Sequence, residues 1–274
     1  DYNEIYDVVN SKEIRSKFQP LGDNQKKLGR ILILSDAAHS LGAKYHGRPT
    51  GSLADISVFS FHAVKNISSA EGGAICINLP QPFDNKKIYD FLRVVSFNGQ
   101  TKDAYAKTMG AEWKYDIIYP GYKINMPDIL ASIAVAQIQV YKKKLLPRRK
   151  EIFSLYDKAF ENYDWAIAPP TRTKKKETSY HVYLLRIKDI TESQRDFIIE
   201  EIFRNGVSVN VHFQPLPMLT VFKNLGYKIE DYRLSYKNYS TEISLPVYPQ
   251  LTNENISYIV ECVVKAYNKV LGKK

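Results

Sequence analysis

Three side chains with complementary chemistry lie close together in the first third of the chain. Asp36 ends a short apolar run, Ser60 closes a β-rich segment, and Lys65 follows shortly after. A carboxylate beside a lysine is often a structural ion pair, so neither residue alone indicates a functional site. In open α/β sheets, however, ligands bind outside the carboxyl ends of the strands, where these three side chains would converge. The set therefore predicts a binding site.

One cofactor requires all three of these groups. Pyridoxal 5′-phosphate (PLP) takes a lysine amine for its Schiff base and a carboxylate that keeps its pyridinium nitrogen protonated. Its phosphate requires hydroxyl and backbone N–H donors. We expect Lys65, Asp36 and Ser60 to supply these groups. The spacing of histidines and cysteines predicts neither a metal site nor a disulfide.

The elements that must position these residues form an alternating pattern. The first thirty residues are predicted to be helical and polar. The apolar run at 31–34 predicts a strand that is buried on both faces, as in a parallel sheet. Two more strands are predicted at 56–61 and 73–78. Polar side chains at strand ends fit an α/β layer architecture.

The character of the sequence changes after Asn125. Leu130, Ile133, Gln137 and Tyr141 recur at helical spacing and predict an amphipathic helix that Pro147 ends. The remaining pattern predicts a helix, a strand, a helix, a strand and a closing helix, at 149–163, 180–187, 192–205, 207–211 and about 256–271. We therefore predict two domains, residues 1–145 and 146–274.

Composition limits the class of protein. The chain has 274 residues, 44% hydrophobic content and a formal net charge of +10. The lysine runs at 142–144 and 174–176 are typical of solvated surfaces, so we expect no nucleic-acid partner. No apolar segment reaches the length that spans a bilayer, and no secretion signal is present. These patterns predict a cytoplasmic protein without a membrane partner.

Four sequence runs carry a resemblance to a known family. The runs SDAAHSLGA, FSFHAVKNISSAEGGAI, PGYKINMPDILASIAVAQ and VHFQPLP occur in this order. They resemble the DegT family of fold-type-I aminotransferases that act on nucleotide-linked keto sugars, and within it the UDP-4-amino-4-deoxy-L-arabinose-type transaminases. The resemblance implies a large α/β domain with a mixed, mostly parallel sheet and a smaller C-terminal α+β domain.

The resemblance also assigns roles to individual residues. Lys65 matches the Schiff-base lysine, Asp36 the partner of the pyridinium nitrogen, and Ser60 a phosphate ligand. His39 matches a residue against the cofactor ring, and His212 a histidine near the sugar nucleotide.

A further segment, GYKIN, matches a loop that reaches into the neighbouring subunit's site and implies a homodimer. This loop contributes Tyr122 as a candidate substrate contact, and Lys123 (from the partner subunit) and Asn125 as candidate cofactor contacts. Many members of the family have Asn in place of Lys123 and Arg in place of Asn125. The arabinose-type enzymes share the lysine, which favours that subgroup.

The family's amino-terminal part has no counterpart in this sequence. That part supplies another phosphate-binding hydroxyl, backbone amides and an aromatic residue that stacks on the cofactor ring. We expect the chain to be a piece of a longer protein rather than a degenerate member with an impaired site.

The expected function is transfer of an amino group from an amino acid, in this family usually glutamate, to a nucleotide-linked keto sugar. Such a reaction would serve amino-sugar biosynthesis for surface polysaccharides or similar glycans. Two alternatives stay open. One is a non-catalytic, dimeric structural or regulatory homologue. The other is a PLP-dependent sugar dehydratase, in which a histidine replaces the lysine, so Lys65 argues against it.

Overall fold

A three-stranded mixed sheet organises the first part of the molecule. The computed structural model describes residues 1–101 and 114–272. The chain divides into two units, Asp1–Gln139 and Val140–Lys274. This boundary falls in the helical run where the sequence places the domain division, after residue 145. The two-domain assignment itself stays a prediction.

The first unit begins with short helices, as the sequence predicts. They are α1 (Tyr2–Asn10), α2 (Lys12–Lys17) and α3 (Asp23–Leu28). The Asp1 carboxylate caps α1 by accepting the Glu4 N–H at 3.3 Å. Helix α3 ends at Gly29, whose φ of +67° is in the left-handed region that glycine tolerates without strain.

The sheet of this unit contains β1 (Leu34–Asp36), β4 (Ile56–Ser60) and β5 (Gly73–Ile77), in that order. Strands β1 and β4 are parallel, with Asp36 opposite Val58, and β4 and β5 are antiparallel. Between β1 and β4 lie a small hairpin, β2 (Lys44–Tyr45) and β3 (Arg48–Pro49), and a 3₁₀ turn at Thr50–Ser52. The sheet is mixed as expected, although parallel pairing is confined to one of its two strand pairs.

The first predicted strand differs from the observed one. Strand β1 begins at Leu34 rather than at Ile31, and its surroundings are not apolar on both faces. Leu34, Val58 and Ile75 are 61%, 38% and 51% exposed and lie on one face, because residues paired across strands point the same way. The opposite face is buried at Ser57 and Phe59. The prediction of burial on both faces is therefore wrong for the described residues.

A buried ion pair fixes the start of this sheet. Arg30 donates two hydrogen bonds of 2.7 Å to the Asp55 carboxylate, which also accepts the Ile33 N–H at 2.8 Å. The Tyr6 hydroxyl contacts the same carboxylate at 3.3 Å. Burial alone would raise the pKa of Asp55, but the hydrogen bonds from Arg30 and Ile33 outweigh it and lower that pKa.

Helices α4 (Asn85–Ser96) and α5 (Asp128–Val140) follow the sheet in the described part of the chain. Helix α5 continues through a π-helical turn, Tyr141–Leu145, into α6 (Leu146–Phe160). The prediction that Pro147 ends a helix is therefore wrong. Pro147 lies in the first turn of α6, directly after the π-helical turn.

The second unit contains an antiparallel sheet of β6 (Ala166–Ile167), β8 (Tyr183–Ile187) and β9 (Glu242–Leu245), with β8 in the centre. The sequence predicted β8 but not β9. It also predicted a strand at 207–211. In the described chain this segment forms only one isolated bridge, between Asn210 and Ser244. A further short strand, β7, spans Lys176–Glu177.

Helices α7 (Glu192–Arg204) and α10 (Asn253–Leu271) match two predicted helices and pack together over the core of this unit. Two shorter helices, α8 (Thr220–Asn224) and α9 (Arg233–Ser240), lie between them in sequence. Tyr156, Tyr183 and Val263 are fully buried in this core. Within residues 1–101 and 114–272, no helix combines the length and apolar character needed to cross a bilayer.

Candidate active site

Asp36 and Ser60 lie at the same edge and on the same face of the first sheet. Asp36 ends β1 and pairs with Val58 of the parallel strand β4, and Ser60 follows two residues later. Because side chains alternate along a strand, Val58 and Ser60 point to the same face, and so does Asp36. The Asp36 carboxylate accepts the Ala38 N–H at 3.1 Å, which orients it at the strand end.

The lysine loop, residues 62–72, connects β4 to β5 and carries Lys65. Lys65 Nζ lies 2.6 Å from His39 Nε2, a ring that belongs to the turn after β1. The structure thus brings Lys65 to the strand end that Asp36 occupies. That Lys65, Asp36 and Ser60 form one binding site stays a prediction.

His39 responds to both charged residues of this group. Desolvation of the ring and the positive charge of Lys65 lower the pKa of His39, and the nearby Asp36 carboxylate partly opposes them by raising it. The balance favours a neutral imidazole at neutral pH. A neutral ring next to an amine can accept a proton or a hydrogen bond from it.

Contacts on two sides hold the lysine loop in place. The Asn66 amide donates to the Leu41 carbonyl at 3.2 Å, which ties the loop to the segment after His39. Ile67 is 1% exposed and anchors the loop in the interior. The Gln137 side chain on α5 accepts the Ser68 N–H at 3.2 Å and donates to the Ser68 carbonyl.

The turn that leads into β5 requires glycine. The Phe61 N–H donates to the Gly72 carbonyl at 2.8 Å and closes the loop. At Gly73, a Cβ atom would lie 2.6 Å from the Phe59 carbonyl oxygen, closer than van der Waals contact allows. Glycine is therefore needed where the two strands meet next to Ser60.

The GYKIN loop is fixed to the end of α4. The Tyr122 N–H donates to the Val95 carbonyl at 2.7 Å, and the Tyr122 carbonyl accepts the Asn98 N–H at 2.8 Å. Lys123 Nζ lies 4.1 Å from the ring centroid of Phe97 in the same chain. Tyr122 is 65% exposed, and Asn125 is exposed as well. The described chain does not bring these residues to Asp36, Ser60 and Lys65, and their contact with a partner subunit stays a prediction.

His212 lies in the second unit, where it lines an open cleft of about 470 Å³. The cleft is bounded by residues from β8, from β9 and from the 233–240 helix, among them Arg186, Asn238 and Glu242. His212 Nδ1 lies 2.7 Å from Ser244 Oγ, and the His212 N–H donates to Glu242 Oε2 at 2.9 Å.

Sequence reasoning missed two parts of these sites. Gln137 was interpreted only as a member of a helical stripe, although its amide holds the lysine loop. Glu242 and Ser244 were not singled out, although their i, i+2 spacing in a strand places both on one face. That alternation next to Ile243 and Leu245 was a signal that could have found them.

One protein family matches most of the chain. Residues 22–264 match the DegT/DnrJ/EryC1/StrS aminotransferase family. The chain belongs to this family. Its aminotransferases are PLP-dependent, and membership confirms the resemblance carried by the four sequence runs. The narrower likeness to arabinose-type enzymes stays a prediction.

Curated relatives come from bacteria and archaea and are longer than this chain. An uncharacterised protein of Methanocaldococcus jannaschii is 36% identical over 239 residues, which cover 86% of this chain and 60% of that protein. Spore coat polysaccharide biosynthesis protein SpsC of Bacillus subtilis is 30% identical, over 85% of this chain and 59% of that protein. UDP-4-amino-4,6-dideoxy-N-acetyl-beta-L-altrosamine transaminase of Campylobacter jejuni is 29% identical, with coverages of 90% and 61%. The chain thus spans about three fifths of their length.

Solved structures share its fold. A Streptococcus pneumoniae protein assigned as a sugar aminotransferase, in its PMP form, is 40% identical with a TM-score of 0.90, over 98% of this chain and 67% of that chain. Helicobacter pylori PseC, an aminotransferase of pseudoaminic acid biosynthesis, is 23% identical with a TM-score of 0.77, over 98% of this chain and 71% of that chain. At that identity the similarity shows the fold alone. The fold is that of fold-type-I PLP-dependent transferases, as the sequence predicts.

Proposed function

We propose that this protein is a PLP-dependent aminotransferase that transfers an amino group from glutamate to a nucleotide-linked keto sugar. The observation that carries the proposal is the contact of Lys65 with His39 at the sheet edge where Asp36 and Ser60 lie. Membership of the aminotransferase family supports the reaction type. The names of the Bacillus and Campylobacter relatives support a role in amino-sugar or polysaccharide biosynthesis.

The chemistry of the side chains at this edge fits PLP. The site presents an amine from Lys65, a carboxylate from Asp36 and a hydroxyl from Ser60. Ser60 Oγ accepts the His62 N–H at 3.2 Å, so its own proton can be donated to a phosphate oxygen. Asp36 is oriented by the Ala38 N–H and can hold a proton on the pyridine nitrogen. When bound, PLP supplies an electron sink for the negative charge that develops at the donor Cα.

Each residue then has a defined role. Lys65 Nζ anchors the cofactor covalently and, once released, carries a proton between the donor Cα and C4′ of the cofactor as general base and acid. Desolvation and the charge of Lys65 lower the pKa of His39, which keeps its ring neutral. The neutral ring can accept a hydrogen bond from the Lys65 amine. Asn66 ties the lysine loop to the segment after His39, and Gln137 ties it to α5.

The proposed substrate is supported by the net charge of the chain and by a residue of the second unit. A net charge of +10 favours encounter with a diphosphate-bearing substrate. We assign His212 and Tyr122 to the sugar nucleotide. Lys123 and Asn125 are assigned to the neighbouring subunit's site in a homodimer. A cytoplasmic location, as predicted from the sequence, belongs to the same proposal.

The test uses the complete protein, since the relatives extend beyond this chain. Mixed with PLP, it should develop the absorbance band of a covalently bound cofactor, and glutamate should discharge that band. Nucleotide keto sugars from a panel should then regenerate it. Lys65→Ala should abolish all three changes, whereas Lys86→Ala, which alters an exposed lysine paired with Asp90 on α4, should leave them intact.

The outcomes separate the alternatives. Catalysis by the Lys65→Ala protein would refute the role of this amine. If the complete protein develops no cofactor absorbance band when mixed with PLP, it is a non-catalytic homologue. A deoxygenated sugar as product, in place of an amino sugar, would identify a PLP-dependent sugar dehydratase.

A further inference from the structure

A chain of hydrogen bonds connects a buried carboxylate to His212 in the cleft of the second unit. Ser244 Oγ donates to Glu242 Oε1 at 2.5 Å and lies 2.7 Å from His212 Nδ1. The second carboxylate oxygen, Glu242 Oε2, accepts the His212 N–H at 2.9 Å. Glu242 and Ser244 are each 4% exposed. One carboxylate therefore holds both the backbone and, through Ser244, the ring of the same histidine.

The direction of these bonds determines where the imidazole proton lies. The His212 backbone N–H can only donate, so Glu242 Oε2 is an acceptor. Ser244 has one hydroxyl proton and gives it to Glu242 Oε1, so its oxygen must accept from His212 Nδ1–H. The neutral ring therefore carries its proton at Nδ1, and Nε2 is the nitrogen that can accept a hydrogen bond.

Other polar and charged groups surround this chain of hydrogen bonds and keep Glu242 in place. Arg195, 1% exposed, donates to the Glu242 carbonyl at 3.1 Å and to the Tyr239 carbonyl at 2.7 Å. Arg186 and Tyr239 face the same cleft. Burial raises the pKa of Glu242, and the bonds from Ser244 and the His212 N–H and the charge of Arg195 offset only part of that rise. The same contacts define the orientation of the Glu242 side chain.

We propose that Glu242 is a positioning residue for the sugar-nucleotide site: through Ser244 it fixes the Nδ1–H tautomer of His212, whose Nε2 accepts a hydrogen bond from a substrate hydroxyl. The bound group is a hydroxyl of the nucleotide-linked sugar, or another donor of the same ligand. This inference rests on the proposed function for the identity of the ligand. The tautomer of His212 does not depend on that function.

The substitution Glu242→Gln tests this chain of hydrogen bonds, because it reverses the direction of donation between residue 242, Ser244 and the His212 ring. The new amide has one accepting oxygen, which must face the His212 N–H since that group can only donate. Its NH₂ group then points at Ser244 Oγ. Ser244 turns its proton toward His212 Nδ1, and the ring proton moves to Nε2. The side chain keeps its size while the acceptor that faces the substrate becomes a donor.

The primary measurement is ¹⁵N NMR of the complete protein labelled at its histidine rings, with His212 assigned by substitution. The parent protein should show a protonated Nδ1 at His212, and Glu242→Gln a protonated Nε2. Glu201→Gln is the matched control, since Glu201 is also a buried carboxylate of this unit and pairs with Lys269 outside the cleft. It should retain the parent tautomer. An unchanged tautomer in Glu242→Gln would overturn the proposal.

Kinetics provide a second readout. Glu242→Gln and Ser244→Ala should each raise the KM for the nucleotide keto sugar about tenfold, the loss expected for one hydrogen bond. The glutamate half-reaction and the cofactor absorbance should be unaffected, because the proposed hydrogen bond is made to the sugar nucleotide and not to glutamate or PLP. Ser244→Thr, which retains the hydroxyl, should keep KM at the value of the parent protein.

If Glu242→Gln fails to fold, Ser244→Ala and Ser244→Thr decide: equal KM values for these two variants would also overturn the proposal. If the complete protein has no transaminase activity, the proposed function is refuted. The NMR result still tests whether Glu242 and Ser244 set the tautomer of His212.

Discussion

Lys65 Nζ lies 2.6 Å from His39 Nε2, so the lysine amine contacts a ring from the turn after the neighbouring strand. A protonated lysine can only donate, and His39 Nε2 must then accept. The neutral His39 ring accordingly carries its proton at Nδ1. The charge of Lys65 therefore acts on the pKa of His39 before any cofactor or substrate arrives.

This coupling predicts opposite effects of two substitutions in the cofactor-free protein. Lys65→Ala should raise the pKa of His39, because it removes a nearby positive charge. Asp36→Asn should lower that pKa further, because the carboxylate raises it in the parent protein. An NMR titration of the His39 ring measures both shifts. Identical titration curves for the three proteins would show that neither charge acts on His39.

Ser60→Ala should weaken binding of PLP by about 10- to 100-fold, the range expected for loss of a hydrogen bond to a charged phosphate. Titration of the cofactor absorbance band measures the affinity. Ser132→Ala removes a hydroxyl that bonds along its own helix, to the Ile129 carbonyl at 2.7 Å, and should leave the affinity unchanged. Equal affinities for the two variants would remove Ser60 from the phosphate site.

Gln137→Ala should lower the free energy of unfolding by about 1–3 kcal/mol, because it leaves the Ser68 N–H and carbonyl without their partner on α5. Hydrogen exchange across the lysine loop should increase in parallel. Gln139→Ala changes an exposed glutamine of the same helix and should alter stability by less than about 0.5 kcal/mol. Urea unfolding compares the two. Equally slow hydrogen exchange of the lysine loop in both variants would contradict the role of Gln137 in holding that loop.

Asp55→Asn should destabilise the protein by about 3–5 kcal/mol at neutral pH, because it leaves the Arg30 guanidinium buried without its counter-charge. The pKa of Asp55 is lower in the folded than in the unfolded protein. Its contribution is therefore complete above the unfolded value of about 3.9 and is lost as pH falls through the lower, folded value.

The stability of the parent protein should consequently decline more steeply between about pH 5 and pH 3 than that of Asp55→Asn. Asp23→Asn, at an exposed aspartate paired with Lys26, should follow the parent curve. Thermal unfolding across this pH range measures the difference. Parallel curves for the parent and Asp55→Asn would show that Asp55 is not linked to acid unfolding.

The sequence predicted the residues of the first site because strand ends and polar side chains are local features. Asp36, Ser60 and Lys65 follow directly from apolar runs that stop at polar residues. The exposure of Leu34 and Val58 could not be predicted in this way, because burial depends on which element covers a face. Pro147 was misassigned for a similar reason: proline both ends helices and begins them, and only the backbone path distinguishes the two.

The contacts that hold the sites together are long-range and left weaker signals. Gln137 lies far along the chain from Ser68, and a glutamine on a helical stripe gives no indication of its partner. The alternation of Glu242 and Ser244 with Ile243 and Leu245 is confined to a strand of four residues, so it was a weak signal. His212 could be assigned by resemblance, but its partners required the bridge between Asn210 and Ser244, which brings His212 to β9.

The hydrogen bond from the Phe61 N–H to the Gly72 carbonyl makes the length of the lysine loop invariable. Strand β4 enters the loop and β5 leaves it as adjacent antiparallel strands, so both ends are held at a fixed separation. An insertion or deletion of one residue would shift Lys65 relative to His39 or break the pairing of Ser60 with Gly73. Natural or engineered variation in length should therefore be found elsewhere, in exposed connections such as the hairpin turn at His46 and Gly47.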